Sequence, residues 1–564
     1  MSALFIKTSW GHYKGKRYPQ YHLAESYRDP ETGRPRHRLL INLTKLPPHA
    51  LEAVRQALRT GQVPASGPVQ VKAGDKLRGA GVLAIWSAWK RYGMDEVLAG
   101  LTRAERASVL AMVVQRIVEP GSKLSLKERL QDTVLARHFA PKRLDEDELY
   151  RVMDRLHAEF YQVQQRLRER EGAAPVLCLY DITSTYFEGR KAEDGEYGYS
   201  RDKRWDRYQI VIGLVLNQDG VPLAVEVWPG ATADRTTVVD RVKALKERFG
   251  ITRAVFVGDG GMYSEANVAA LEEAGFDYIL GVDWQRERVL LEEHAPQQFE
   301  VFDRVGVVEW EQDGVRYVGC VSEARRQRAA ERREAGMQKA REKLEQLARV
   351  AAGRRIYRWT RLRAKAEQIL KEAGVAGLWR VEISPLEAGP VDPEQKAKLR
   401  LHFEVDQEAL RRRMAVEGKY LLHTSLPAER CSARDVDRCY RSLQKVERAF
   451  RHIKSFLEIR PVYHWRRRRI RAHVLICFLA YYLVRKMELE LRAQGEVREV
   501  ERILRNWDQL ELVEIRVEVG DVHRREWQWS LGKRGTEIQS EIQRLGWWSE
   551  VDAQARSLRT TLAS

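Results

Sequence analysis

The sequence predicts an α/β fold: a mixed-sheet core with helical flanking regions and a small β-rich amino-terminal unit. Three observations carry this. Beyond Pro175 the chain reads as three strands, then helix, strand, helix, strand; the strands are nearly continuous apolar runs; and the helices repeat their apolar residues at helical spacing. At 564 residues the chain exceeds one ordinary core, so about three to five structural units are expected.

Residues 1–70 open with strand-like runs at Leu4–Thr8, Tyr18–Glu25 and Arg38–Leu43, separated by the turn signals Lys14-Gly15-Lys16 and Asp29-Pro30-Glu31-Thr32-Gly33. Here eleven Lys/Arg face four Asp/Glu, interleaved with Trp10, Tyr13, Tyr18, Tyr21 and Tyr27. That mixture suits a nucleic-acid surface, a solvated β-sheet being the alternative. A linker at Val63–Pro68 precedes a helical region, residues 75–172, in which Val82, Leu83, Trp86 and Trp89, then Val109, Met112, Val113 and Ile117, mark core-facing stripes.

Residues 173–283 form the first part of the α/β core. Val176–Tyr180 is a strand that ends at Asp181. Gln209–Leu216 and Val221–Trp228 make a hairpin about the turn Asn217–Gly220. A helix over Thr236–Phe249, a buried strand Ala254–Val257 leading to Asp259, a helix Ser264–Ala274 and a strand Asp277–Val282 complete it. Residues 284–418 interrupt the pattern as an insertion, with β-like pieces (Val305–Trp310, Val315–Ser322, Leu401–Val405) and a charged helical stretch, Glu323–Glu372. The core resumes over 419–486 with the strand Lys419–Leu426 and a helix from about Ala433 to Leu457. Residues 487–564 read as mostly helical, with a strand-like insert at Val513–Val519.

Lys and Arg number 98 against 80 Asp and Glu, a net charge of +18. This points to a polyanionic partner, nucleic acid first and an anionic membrane surface second. The apolar run Val474–Val484 is too short to span a bilayer and reads as a core helix. Cys178, Cys320, Cys431, Cys439 and Cys477 are scattered without metal-ligand spacing, which argues against disulfides and structural zinc and for a reducing cytoplasm.

The chemistry is carried by carboxylates. In a sheet of this order the strands ending at Asp181 and Asp259 commonly lie side by side, and converging carboxylates suit Mg2+. Each aspartate alone is equally a cap or turn residue; Glu188, Asp202, Asp206 and Glu226 are the replacement acids. On the later helix, Leu443, Val446, Phe450 and Ile453 share one face and Arg441, Lys445, Arg448 and Arg451 the other, with Glu447 at the boundary. A seven-residue step is about 700°, so Tyr440, Glu447 and Lys454 form one near-axial stripe. Glu447 is thus either a metal ligand or the ion-pair partner of Arg451. Arg460, Arg466, Arg467, Arg468, Arg469 and Arg471, with Tyr463, His464 and Trp465, make a cationic patch fit for backbone phosphates or for water.

The segments Tyr180–Glu188, Val257–Ser264 and Tyr440–Tyr463 resemble the bacterial insertion-sequence DDE transposases, in the branch with a Tyr-x2-Arg-x3-Glu-x6-Lys signature after a β-rich insertion. The resemblance runs from about residue 1 to 486. It implies an RNase H-like core, Asp181, Asp259 and Glu447 as catalytic metal ligands, and Mg2+ (or Mn2+ as a substitute) as cofactor. Tyr440, Glu447 and Lys454 match the signature, while Leu443 stands at its Arg position and Gly260 where relatives often carry Arg. Tyr440, Arg448, Arg451, Lys454 and Arg466–Arg469 are the expected DNA contacts, and Trp310, Trp359 or Trp379 the expected base-stacking residue. The partners implied are double-stranded DNA, as element ends and target, and a second copy in a dimeric synaptic complex; no membrane is involved, and the site of action is the cytoplasmic nucleoid. A DNA-binding derivative without catalysis and a metal-dependent nuclease without strand transfer are the rival readings.

Overall fold

The computed structural model describes the chain except residues 1–2, 14–15, 30–33, 61–68, 136–144, 173–176, 233–253, 284–285, 288, 292–305, 354–356, 387–395, 520–521, 531 and 564. The expected linker Val63–Pro68 and helix Thr236–Phe249 lie outside the described residues. The chain divides into two compact units: Met1–Ala173, Asp181–Thr232 and Lys445–Ser564 in the first, Ala174–Tyr180 and Ala233–Gln444 in the second.

The first unit begins with an antiparallel sheet, β1 (Ala3–Tyr13), β2 (Lys16–Arg28) and β3 (Pro35–Asn42), closed on one side by the helix Pro48–Thr60. Its small core joins Leu23, Ile41, Leu43 and Leu51 to Ile515, far along the chain. The link is a second sheet: β4 (Val69–Arg78) pairs antiparallel with β17 (Glu511–Val519), which pairs with β18 (Val522–Trp529). The carboxyl-terminal region therefore holds a two-stranded hairpin where the sequence predicts one short strand among helices. Strand β17 carries charges at Glu514, Arg516 and Glu518, and its second edge is paired only by a segment 439 residues away, as in the Asp75 amide donating to Glu514 at 3.3 Å.

Helices Ala80–Arg91, Arg103–Val118, Glu146–Ala158 and Phe160–Arg170 form the expected helical region. The run Val474–Val484 is buried throughout, within the 27-residue helix Arg467–Ala493. No helix among the described residues is long and apolar enough to cross a membrane, and all five cysteines are free. Helix Val500–Trp507 presses against helix Ala80–Arg91 so closely that a Cβ on Gly81 would stand 2.4 Å from the Leu504 carbonyl oxygen. The Asp508 carboxylate accepts from the Val82 amide at 3.3 Å in the same contact.

Strand β5 (Leu177–Tyr186) runs through both units. In the first unit its later part is followed by β6 (Gln209–Leu216) and β7 (Pro222–Pro229), the expected hairpin. Asn217 Oδ1 accepts from the amides of Asp219 and Val221, both at 2.9 Å, and Gly220 supplies the positive φ of 78° that this turn requires.

In the second unit Leu177–Leu179 pair in parallel with β8 (Val255–Gly258), and β8 in parallel with β9 (Asp277–Gly281) after the helix Glu265–Glu273. The order continues antiparallel through β16 (Lys419–Thr424), β11 (Val315–Val321) and β10 (Val307–Gln312). Strands β10 and β11, read from the sequence as pieces of the insertion, thus extend the core sheet. Eight strands of mixed direction and many helices make up the α/β, RNase H-like architecture that the resemblance implies.

The rest of the inserted region has its own core. Helices Glu323–Ala352 and Trp359–Glu372 bury Ala340, Leu344, Ala366 and Leu370 against two short pairs: β12 (Tyr357–Arg358) with β14 (Lys396–Ala397), and β13 (Trp379–Pro385) with β15 (Leu399–Val405).

Buried His423 of β16 has ring contacts with Tyr263, Tyr278 and Tyr317 at 5.6, 5.0 and 5.6 Å between centroids. Burial pulls its pKa from 6.5 down to about 4, and the Arg286 charge adds to this. A folded value below the unfolded one means stability present above about pH 6.5 and lost as pH falls toward 4. Replacing His423 with Phe is expected to remove up to roughly 2–3 kcal/mol of that acid sensitivity. Urea midpoints measured from pH 7.5 to 4 check this, and an unchanged slope rejects it.

Candidate active site

Asp259 follows β8 directly and caps a short 3-10 turn, Gly260–Met262, its carboxylate accepting from the Gly261 amide at 3.1 Å. It is exposed, at the end of a strand whose Phe256, Val257 and Gly258 are buried. The backbone around it is tightly packed. A Cβ on Gly260 would reach 2.9 Å from the Val282 carbonyl oxygen, and one on Gly281 would reach 2.7 Å from the Tyr440 hydroxyl. Contact with backbone leaves no room for a side chain at residue 260 in this chain.

Tyr440, in the helix Ala433–Arg441, thus stands beside the turn that bears Asp259. Its hydroxyl is pushed up to about 12 by burial, with the Asp259 charge acting in the same direction and Arg325 opposing. Burial also lifts the nearby Glu287 carboxyl to about 7 against a hydrogen bond from the Leu421 amide at 3.2 Å. These groups belong to the second unit.

Asp181 and Glu447 belong to the first. Asp181 is half-buried in the middle of β5, its carboxylate accepting from the Ile182 amide at 2.7 Å. Asp181, Thr183 and Thr185 share one face of the strand by alternation. On that face Thr183 and Thr185 line a cavity together with Phe450, Ile453 and Lys454 of the helix Gln444–Ser455. The helix that carries Glu447 therefore covers the side of β5 toward which Asp181 projects.

Tyr440 and Glu447 do not share a helix. The predicted helix from Ala433 to Leu457 breaks at Ser442–Leu443, so the axial stripe keeps only Glu447 and Lys454. Buried Leu443 occupies the break, where its amide donates to the Tyr440 carbonyl at 3.0 Å.

Glu447 is exposed and has no ion-pair or hydrogen-bond partner for its side chain among the described residues; the pair with Arg451 is not formed. The other acids are engaged. Asp202 binds Lys454 at 2.8 Å and also Arg460. Glu188 pairs with Arg207 at 2.8 Å, Asp206 with Arg204 at 2.9 Å, and Glu226 with Arg471 at 3.4 Å. Among the described residues no group of three His, Cys, Asp or Glu is arranged to hold a metal ion.

The expected DNA-contacting cations divide into two kinds. Arg448 binds Glu488 at 2.7 Å, Arg467 binds Asp194 at 2.7 Å, and Arg468 and Arg469 share Asp154 at 2.9 and 3.2 Å. All four are thus engaged in ion pairs within the first unit. Arg451 and Arg466 have no carboxylate partner among the described residues, Arg466 lying 4.7 Å over the Trp465 ring. Lys454 is nearly buried; desolvation lowers its pKa and Asp202 opposes that shift.

Of the three expected stacking residues, Trp379 is buried in the insertion core, Trp310 stacks on Tyr317 at 5.9 Å, and Trp359 lies under Arg363 at 5.2 Å. Exposed aromatics lie elsewhere, at Tyr197, Tyr199, Trp205, Tyr463 and Trp465, and at Trp10, Tyr18 and Tyr27 of the amino-terminal sheet. The alternation of Tyr, Arg, Lys and Trp over residues 197–208 is the sequence signal that would have found the first three.

Comparison with known families matches residues 174–483 to the transposase DDE domain and residues 6–66 to the IS1634 family transposase N-terminal domain. The comparison with curated proteins gives no match.

Proposed function

Because the chain belongs to the insertion-sequence DDE transposases, enzymes that act on DNA, we propose that it binds the terminal inverted repeats of its own element, hydrolyses the phosphodiester at each end and joins the 3′ ends to target DNA. The acids that serve this are Asp181, Asp259 and Glu447, which would hold Mg2+, with Mn2+ as a substitute. The donor set fits a hard cation, since all three offer only carboxylate oxygen. When bound, the cation neutralises charge at the reacting phosphate and lowers the pKa of the attacking water or hydroxyl.

One observation carries the assignment: Glu447 alone among the weighed acids is exposed and unpaired, on the helix that covers the Asp181 face of β5. Arg451 and Lys454 hold phosphate oxygens of the bound end. The amino-terminal sheet recognises the repeat sequence, and two copies pair the two ends in the synaptic complex, acting on the nucleoid in the cytoplasm.

Purified protein incubated with its own element ends, with and without Mg2+, tests the reading. Cut and joined products support it; cutting without joining leaves a nuclease, and binding without cutting leaves a DNA-binding derivative. End binding is also expected to weaken on the order of 10³-fold between about 50 and 200 mM salt, as roughly six phosphates are neutralised. A flat salt response in a filter-binding titration rejects DNA as the partner.

A further inference from the structure

Of the eight exposed aromatic side chains among the described residues, five lie on two segments of the first unit: Tyr197, Tyr199 and Trp205 in the β5–β6 connection, Tyr463 and Trp465 after the helix of Glu447. The segments are far apart in sequence but fastened together. The Glu193 amide donates to the Trp465 carbonyl at 2.9 Å, the Arg467 amide to Glu193 Oε2 at 2.7 Å, and the Glu188 amide to the Val462 carbonyl at 3.2 Å. Asp202, between Tyr199 and Trp205, clasps Lys454 and Arg460 from the other side.

Tyr199 and Trp205 stand 73% and 58% exposed on a turn fixed by the Arg204 amide bonding Ser200 Oγ at 2.9 Å and the Arg201 amide bonding Ser184 Oγ at 3.0 Å. Their rings meet edge to face at 5.6 Å, and the Arg201 guanidinium lies 5.8 Å from the Tyr199 centroid. Next to Trp205 in the chain, Asp206, Arg207 and Tyr208 line, with Gly189 and Arg190, a recess of about 370 Å³ open to solvent. Residues 187–208 and 454–471 together carry thirteen Lys/Arg against seven Asp/Glu, so the surface is cationic as well as aromatic.

Paired duplex DNA presents phosphates and base edges, to which exposed rings add little. Unpaired bases present π-faces as well as phosphates, and stacking on aromatic side chains amid cations is how single strands are held without regard to sequence. We infer that this joined surface, centred on Tyr199 and Trp205, binds a short single-stranded segment of DNA continuous with the duplex. The inference rests on the DNA reading above and adds a second kind of contact to it. The rings are held in place before binding, so little ordering is required when bases arrive.

The test uses the full-length protein and two fluorescent duplexes of the element end, one blunt and one with a single-stranded tail of about six nucleotides containing 2-aminopurine. Wild type is expected to prefer the tailed duplex about tenfold and to quench the 2-aminopurine, as one stacked base allows. The double variant Tyr199→Ala, Trp205→Ala should keep blunt-duplex affinity and lose both effects, while Trp205→Phe keeps most of the preference. Equal affinity of wild type for both duplexes, or a preference surviving in the double variant, overturns the inference. Failure to bind either duplex overturns the DNA reading itself.

Discussion

Replacing Glu447 with glutamine is expected to reduce both end cleavage and strand joining by on the order of 10³-fold or more, with folding and end binding unchanged. Glutamine keeps the size and one hydrogen-bonding oxygen but removes the charge that a hard cation requires. The side chain is exposed and unpaired, so no ion pair of the fold is lost with it. Asp181→Ala and Asp259→Ala should show the same loss. Cleavage gels and a binding isotherm on the same preparations separate catalysis from affinity. Normal cutting by Glu447→Gln would reduce this residue to a charged surface group and require the acidic set to be redrawn. Lys445→Ala is no neutral control, since Lys445 Nζ donates to the Gln218 carbonyl at the β6–β7 turn. Ser455→Ala, exposed at the end of the same helix, serves better.

Trp507→Ala is expected to cost about 3–5 kcal/mol, a large part of the ordinary 5–15 kcal/mol of a folded domain. Trp507 is fully buried at the end of the helix that meets Gly81, next to the Asp508–Val82 hydrogen bond. Truncation leaves a cavity between segments that have little freedom to collapse, because the two helices already touch through backbone at Gly81. Denaturant unfolding followed by circular dichroism measures the loss. Trp507→Phe should recover much of it, and a cost below about 1 kcal/mol for alanine would show that the site relaxes freely.

The legible parts of the fold were those encoded in neighbouring residues. The hairpin Gln209–Trp228 announces itself by two apolar runs about an Asn-Gln-Asp-Gly turn, and both strands are found. The helix break at Ser442–Leu443 was not legible, because Leu443 continues the apolar spacing across a two-residue interruption. Pairing at a distance was invisible for a different reason. Nothing near Arg467 shows that Asp194 holds it, nor near Lys454 that Asp202 does, so a run of arginines reads as free charge until the fold assigns partners. The candidate acids were hidden in the same way: Glu188, Asp202, Asp206 and Glu226 are paired with cations, and the Asp202 and Glu226 side chains are almost wholly buried, whereas Glu447 is exposed and unpaired among the described residues.

The antiparallel pairing of β4 with β17 sets the order in which the protein can become complete. At about 5–20 residues per second, the 439 residues between Asp75 and Glu514 take roughly 20–90 s to synthesise. Throughout that interval β4 has an open edge, and the core of the amino-terminal sheet lacks Ile515. A copy of the gene truncated before Glu511 would release a polypeptide with the whole acidic set but a permanently unfinished first unit, prone to joining edge to edge with others of its kind. Residues made late, Glu511–Val519, thus complete the sheet and the small core begun by residues made early.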